Sequence, residues 1–285
     1  MKTVVSSATM EVLIADDQPT VLIGERINPT GKTKLSAALH AGDMELVRRE
    51  ALAQVEAGAD ILDVNVGATG VDEVALLPQA VKVVMETVDV PLCIDSDNPR
   101  ALEAALKAYQ GKPIVNSVNG QEQRLKDVLP LVKDYGAAVI GLTMDDEGIP
   151  QEADRRLAIA EMIIERAEAL GIPRGDVIID CLAMTVATNS MAGLATLEAV
   201  RRVKATFGVN QTLGASNISF GLPDRTLVND AFLPLAIAAG VTCPVVDVAR
   251  VRPAILAADL LLGRDDYAMR YIKAYRQREQ QKSAQ

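Results

Sequence analysis

The stretch VLIGERINPTG, residues 21–31, decides how the chain is read. Val21, Leu22 and Ile23 open it as a buried strand, and Glu25, Arg26 and Asn28 fall at that strand's end. Pro29, Thr30 and Gly31 then turn the chain away. Polar side chains gathered at the C-terminal end of an apolar strand mark where α/β enzymes bind their ligands. Four later segments close in the same way: LDVN at 62–65, CIDS at 93–96, VNS at 115–117 and IID at 178–180. A fifth polar cluster, ASN at 215–217, follows a less apolar run.

Outward from these ends, one unit recurs: amphipathic helix, glycine, apolar strand, polar strand end. Asp43 is placed to cap a helix on which Met44, Val47, Ala51 and Val55 recur at helical spacing, and Gly58 suits its end. Strands are expected over 59–66, 91–95, 113–117, 137–144, 176–180, 211–216 and 243–248. Helices are expected over 71–87, 98–109, 122–135, 153–170, 194–206, 226–239 and 253–262, with a charged helical tail to about residue 278. With the opening strand this makes eight strands and about eight helices, which predicts a closed (β/α)8 TIM barrel. An open doubly wound sheet is the alternative, but no GxGxxG follows the first strand and no composition break suggests a second domain. The whole of 1–285 is therefore expected to be one barrel domain. Residues 1–20 are an extension adding a short strand or plug, residues 264–285 a helical tail, and 280–285 are expected to fray.

Bulk properties narrow the function. Hydrophobic residues make up 49% of 285, while aromatics make up 3% and Trp is absent, so the core is aliphatic and suits parallel strands under helices. That composition offers no base-stacking platform, and a net charge of −9 argues against nucleic-acid binding. No apolar run reaches the roughly 18 residues of a membrane span. There is no signal peptide in residues 1–20, and three scattered cysteines make no disulfide framework, so a cytoplasmic location is expected. The one histidine, His40, is read as a surface loop residue, and with no CxxC pair a transition-metal site is not expected.

In the barrel the polar strand ends face one mouth: Glu25 and Asn28, Asp63 and Asn65, Asp95 and Ser96, Asn116 and Ser117, Thr143 and Asp145, Asp180, and Ser216 and Asn217. Carboxylates in an apolar barrel need donors or must take up protons. A flat, nitrogen-rich heterocycle such as a pterin supplies paired N–H groups to a carboxylate, and Asn can read an edge that mixes donors and acceptors. The bland alternative is that these acids cap the helices that follow; Asp43, Asp72 and Asp224 are assigned that role alone.

GERIN (24–28), LDVNVG (62–67), CIDS, VNS, GLTM (141–144), IID and ASNIS (215–219) occur in the order found in pterin-binding methyltransferases. The chain resembles the methyltetrahydrofolate:corrinoid methyltransferases, is similar to the folate domain of cobalamin-dependent methionine synthase, and more distantly resembles dihydropteroate synthase. The resemblance covers about 21–262. It implies that Asp95, Asn116 and Asp180 hold the pterin and that Asp63 and Asn65 line the pocket floor. By the same resemblance Glu25 and Asn28 belong to the opening motif. It also implies that Asn217, beside Ser216, reaches N5 of the folate and is the catalytic group. Arg225 resembles an arginine of a mobile region, with a contact near the site or to the folate tail.

The resemblance further implies transfer between methyltetrahydrofolate and a corrinoid (cobalamin) with no metal bound by this chain. A homodimer is expected from it and from the habit of such barrels. The DxHxxG motif that ligates cobalamin is absent, since residue 38 is Ala, so a separate corrinoid protein is expected as partner. An acidic mouth rim and a mobile loop over 29–42 or 219–225 are expected as docking features, and PTGKTK (29–34) and CLAMTVATNSMAG (181–193) are expected to bear on partner choice. Competing readings are a dihydropteroate synthase, whose strand-seven Lys is replaced here by Ser216 and Asn217, a Mg²⁺ enzyme built on Asp63, Asp95 and Asp180, and a folate-binding subunit without turnover.

Overall fold

A computed structural model describes residues 1–283, with side chains to 280. A short antiparallel hairpin comes first, β1 (Lys2–Ser6) and β2 (Glu11–Ala15). The barrel then runs β3 (Ile23–Ile27), α1 (Thr33–His40), α2 (Glu45–Ala57), β4 (Ile61–Asn65), α3 (Glu73–Thr87), β5 (Leu92–Asp95), α4 (Pro99–Ala108), β6 (Ile114–Asn119) and α5 (Glu122–Asp134). It continues through β7 (Ala138–Leu142), α6 (Ala153–Ala169), β8 (Val177–Asp180), α7 (Ala192–Phe207), β9 (Gln211–Thr212), α8 (Arg225–Ala239), β10 (Val245–Val246), α9 (Val248–Leu261) and α10 (Met269–Ser283).

Eight parallel strands pair in the order β10-β3-β4-β5-β6-β7-β8-β9. A parallel bridge from Gly214 to Val245 joins the last strand back to the first, which closes a (β/α)8 barrel. Strand periodicity sorts the side chains into two cores. Leu62, Val64, Leu92, Ile94, Val115, Val139, Val177 and Ile179 pack outward against the helices. Ile23, Ile61, Cys93, Ile114, Ala138, Ile140, Ile178 and Cys243 point inward, and Val5, Val12 and Ile14 of the hairpin join them. The N-terminal extension is thus a two-stranded plug that fills one end of the barrel. Ser6 and Lys112 exchange backbone hydrogen bonds of 2.9 and 3.0 Å, and Asn210 Nδ2 donates to Thr3 Oγ1 and Ile14 O at 2.9 Å each, anchoring it.

Local chemistry sets the element ends. Asp72 caps α3 by accepting from the Val74 and Ala75 amides, and Asn98 caps α4 ahead of Pro99. Gly58, with φ 99°, and Gly208, with φ 65°, close α2 and α7 in the left-handed region that a side chain disfavours.

Several expectations need correction. The opening strand extends through Ile27, so Glu25 and Arg26 lie within it, at a register shift against β4 between Gly24 and Ile27. His40 ends helix α1 and is exposed, rather than lying in a loop, and α1 occupies much of 29–42. Asp43 accepts from Glu45 N at 2.9 Å but sits one residue outside the cap of α2. Asp224 precedes α8 with φ 45° and makes no side-chain cap bond. The strand expected over 211–216 stops at Thr212, and Ser216 and Asn217 lie in a 3-10 turn, Ala215–Ser219. The last strand is shorter than expected because the helix starts at Val248, not at residue 253. The tail helix runs to Ser283; of the stretch expected to fray, residues 284–285 lie outside the described residues.

Candidate active site

Parity along each strand builds the site. Ile61 faces the axis, so Asp63 and Asn65, two and four residues on, face it too. Cys93 faces inward, so Asp95 does; Ile114 brings Asn116 inward and Ile178 brings Asp180. Register then sets their heights. Asn65 pairs with Asp95 and Asp95 with Asn116, so three polar side chains stand in one row across adjacent strands. Asn65 Nδ2 donates to Asp95 Oδ2 at 2.9 Å, and Asn116 Nδ2 donates to Asp63 Oδ1 at 3.1 Å. The Asn116–Ser117 peptide bond is cis.

Across the mouth, Asp180 takes backbone N–H bonds from Leu182, at 2.7 Å, and from Gly214. Its own carbonyl accepts from Thr143 N at 3.0 Å and Thr143 Oγ1 at 3.2 Å. Burial pushes the Asp180 carboxyl up to about 6, against the pull of its backbone donors and Arg156. Burial also raises Asp63 and, further, Asp95, where the Asp63 charge adds to the rise; their Asn partners oppose it. Burial similarly raises Glu25, and Asp247 adds to it.

The remaining residues form a second neighbourhood. Glu25, Arg26, Ser216, Arg225, Asn229, Asp230 and Asp247 are among the residues lining a cavity of about 240 Å³ between β3, β10, α8 and the 3-10 turn. Asn229 Oδ1 and Asp230 Oδ1 are buried with no hydrogen-bond partner among the described residues. Arg225 donates from Nε to Ser219 Oγ at 3.1 Å and from Nη2 to Ser216 O at 2.8 Å, and lies 5.7 Å from the centre of the Phe220 ring. Asn217 is exposed within this turn. Asn28 closes its own turn by accepting from Thr30 N at 2.9 Å.

Sequence reasoning missed several participants. Asp247 follows β10 and ion-pairs with Arg26 at 3.6 Å and Arg250 at 3.4 Å. Its signal was present, an acid after VV, but was hidden by extending the strand to 248. Glu73 accepts from Ser96 Oγ at 2.5 Å, and Arg124 and Arg156 reach backbone carbonyls of the mouth. Helical charges such as these read as solvated faces in a sequence, and only the fold turns them inward. Among the described residues, no three His, Cys, Asp or Glu side chains converge as a metal-ligating group. No helix among the described residues is long and apolar enough to cross a membrane.

The arrangement offers a planar ligand a row of acceptors and carboxamides on one side, an ionisable carboxylate opposite, and an open, partly unpaired cavity at the edge. The profile of the pterin binding enzyme family matches residues 24–247. A methylcorrinoid:tetrahydrofolate methyltransferase from Eubacterium limosum is 33% identical over 264 residues, covering 90% of this chain and 96% of that protein. Methionine synthase from Mycobacterium tuberculosis is 33% identical over 262 residues, which are 87% of this chain and 22% of that protein. Dihydropteroate synthase from Xanthomonas albilineans, solved with 7,8-dihydropteroate, superposes with TM-score 0.73 at 21% identity, covering 91% of this chain and 99% of that one; this likeness is one of fold.

Proposed function

The chain belongs to the pterin binding enzyme family, and from that premise we propose that it moves a methyl group between N5 of methyltetrahydrofolate and the cobalt of a corrinoid carried on a separate protein. The observation that carries the reading is the row Asn65–Asp95–Asn116 with Asp180 opposite, joined to the similarity with a full-length methyltransferase. Asp95 and Asp180 accept from the pterin's N–H groups, Asn116 reads its mixed edge, and Asp63 and Asn65 hold Asn116 and Asp95 in place. Glu25, Ser216 and Arg225 border the cavity beside them, where the part of the folate beyond the ring leaves the mouth. Asn28 shapes the loop at its rim.

In the forward direction the N5–methyl bond breaks, the carbon–cobalt bond forms, and the electron pair left on N5 takes a proton. In reverse, N5 loses that proton as it attacks the methyl group. The Asn217 amide both donates and accepts, so one side chain assists N5 in either direction. The name of the Eubacterium limosum relative runs from methylcorrinoid to tetrahydrofolate, and the proposal takes that direction for this chain. A corrinoid protein and a second copy of the chain are its proposed partners.

The test is anaerobic. The protein, with EDTA, is mixed with methyltetrahydrofolate and cob(I)alamin, and in a second run with tetrahydrofolate and methylcobalamin. The cobalt(I) absorption band is expected to vanish in the first run and appear in the second. Tight folate binding with no change in either run would make the chain a folate-binding subunit and overturn methyl transfer.

A further inference from the structure

Arg156 and Arg124 each spend a guanidinium group on two or more backbone carbonyls at the mouth. Arg156, 1% exposed on α6, donates from Nε to Pro150 O at 2.7 Å and from Nη1 to Cys181 O at 2.8 Å and Leu182 O at 3.1 Å. It thereby secures the chain just after Asp180. Arg124, in the first turn of α5, does more, because its three bonds span two strands. It donates from Nη2 to Ser96 O at 2.8 Å, from Nη1 to Asp97 O at 2.6 Å and from Nε to Ser117 O at 2.8 Å.

The need for such a group follows from the sheet. β5 pairs with β6 as far as Asp95 opposite Asn116, and beyond Asn116 the β6–β7 register shifts. The carbonyls of Ser96, Asp97 and Ser117 thus lie past the last pair between β5 and β6, and for those of Ser96 and Ser117, whose bonds to Arg124 are part-buried, lacking a donor is costly. A planar fork of donors on three nitrogens satisfies three at once in fixed directions; a lysine has its three donors on one nitrogen at the end of a flexible stem and does not fix that spread. Ser96 adjoins Asp95 and Ser117 adjoins Asn116, so the guanidinium is one residue away from each ligand-facing side chain along the backbone.

We propose that Arg124 is a positioning residue for pterin binding, stapling the ends of β5 and β6 so that Asp95 and Asn116 present their polar edges at one fixed spacing. The inference rests on the reading above for the identity of the ligand. It predicts a loss in binding and not in chemistry, because Asp95 and Asn116 would grip the ring alike in ground and transition states.

The experiment titrates methyltetrahydrofolate into the wild-type protein and into Arg124→Gln, Arg124→Lys and the exposed-helix control Arg100→Gln. KM and kcat for methyl transfer to cob(I)alamin are measured on the same samples. Arg124→Gln is expected to raise Kd and KM about 30-fold with kcat within about threefold, the pattern of lost uniform binding. Arg124→Lys is expected to recover part of the loss, and Arg100→Gln to match wild type. Kd and KM within twofold of wild type in Arg124→Gln would overturn the inference, as would a loss confined to kcat. If Arg124→Gln does not fold, Arg124→Lys decides, and a wild-type KM there overturns it. A wild-type protein that binds folate but transfers no methyl group sinks the methyl-transfer reading alone, since Arg124 is judged on binding. A wild-type protein that binds no folate sinks both.

Discussion

The two sides of the barrel mouth are made differently. On the β4–β5–β6 side, with β8 across from it, Asp63 and Asp180 are buried and Asp95 half-buried, and each accepts hydrogen bonds from a carboxamide or from backbone N–H groups. Ladder register and two arginine clamps hold them. On the β3–β10 side, burial and the Asp247 charge raise the Glu25 carboxyl, Asn229 and Asp230 each have a buried oxygen with no partner among the described residues, and Asn217 stands exposed on a 3-10 turn. A satisfied network is rigid and specifies one geometry, whereas unpaired groups beside a cavity leave room for something to enter. On the proposed reading the first side holds a ring throughout the reaction, and the second admits the reacting partner.

The sharpest way to break this division is Asn217→Ala. Methyl transfer is expected to fall at least about 100-fold, the scale of a lost transition-state hydrogen bond, with folate affinity within about threefold. Single-turnover absorbance and equilibrium binding measure the two; equal losses in both would mean that the exposed turn also holds the ring.

A pH series sharpens the buried side. Asp180 ionises near 3.8 in an unfolded chain and near 6 when folded, so between those values the folded state holds the extra proton. Its contribution to stability is greatest below pH 4, falls as pH rises towards 6, and is flat above, a change of order 3 kcal/mol at most. Folate affinity runs the other way and rises about tenfold through pH 6, because only the ionised carboxylate accepts from two N–H groups. Denaturant midpoints and folate titrations from pH 4.5 to 7.5 read both, and Asp180→Asn should flatten both. Retained slopes in that variant would move the effect to Asp63, Asp95 or Glu25.

The smallest effect is expected from Arg225→Ala. It removes the bonds to Ser216 O and Ser219 Oγ and the Phe220 ring contact, all half-exposed. The transfer rate should fall about threefold through a looser turn, with folate affinity unchanged, since exposed contacts of this kind are worth under about 1 kcal/mol. A large loss of folate affinity instead would place Arg225 on the folate itself.

Legibility divided along the same line. Asp63, Asn65, Asp95, Asn116 and Asp180 were readable because each ends an apolar run, and period-two parity turns a strand's last polar residues toward the axis. The β3–β10 side was less readable. Gln211–Thr212 and Val245–Val246 are two-residue strands, so their ends were misplaced and Asp247 went unnoticed. The plug was half seen: an extension was expected, but Val5, Val12 and Ile14 filling the barrel depends on a hairpin with no strong turn signal at 7–10.

The sequence by itself determined the alternation of strands and helices, the barrel, and which carboxylates and carboxamides would meet at its mouth. Hydrophobic period and glycine placement act locally and survive without knowledge of neighbours. Only the tertiary structure decided how those groups pair, Asn65 with Asp95 and Asn116 with Asp63, because pairing follows register between strands about thirty to fifty residues apart. Only it showed that Arg124 and Arg156, helical residues with nothing distinctive in their spacing, turn inward to hold the strand ends. Carbonyls that leave a ladder must find donors wherever the fold brings one, and no sequence interval records that distance.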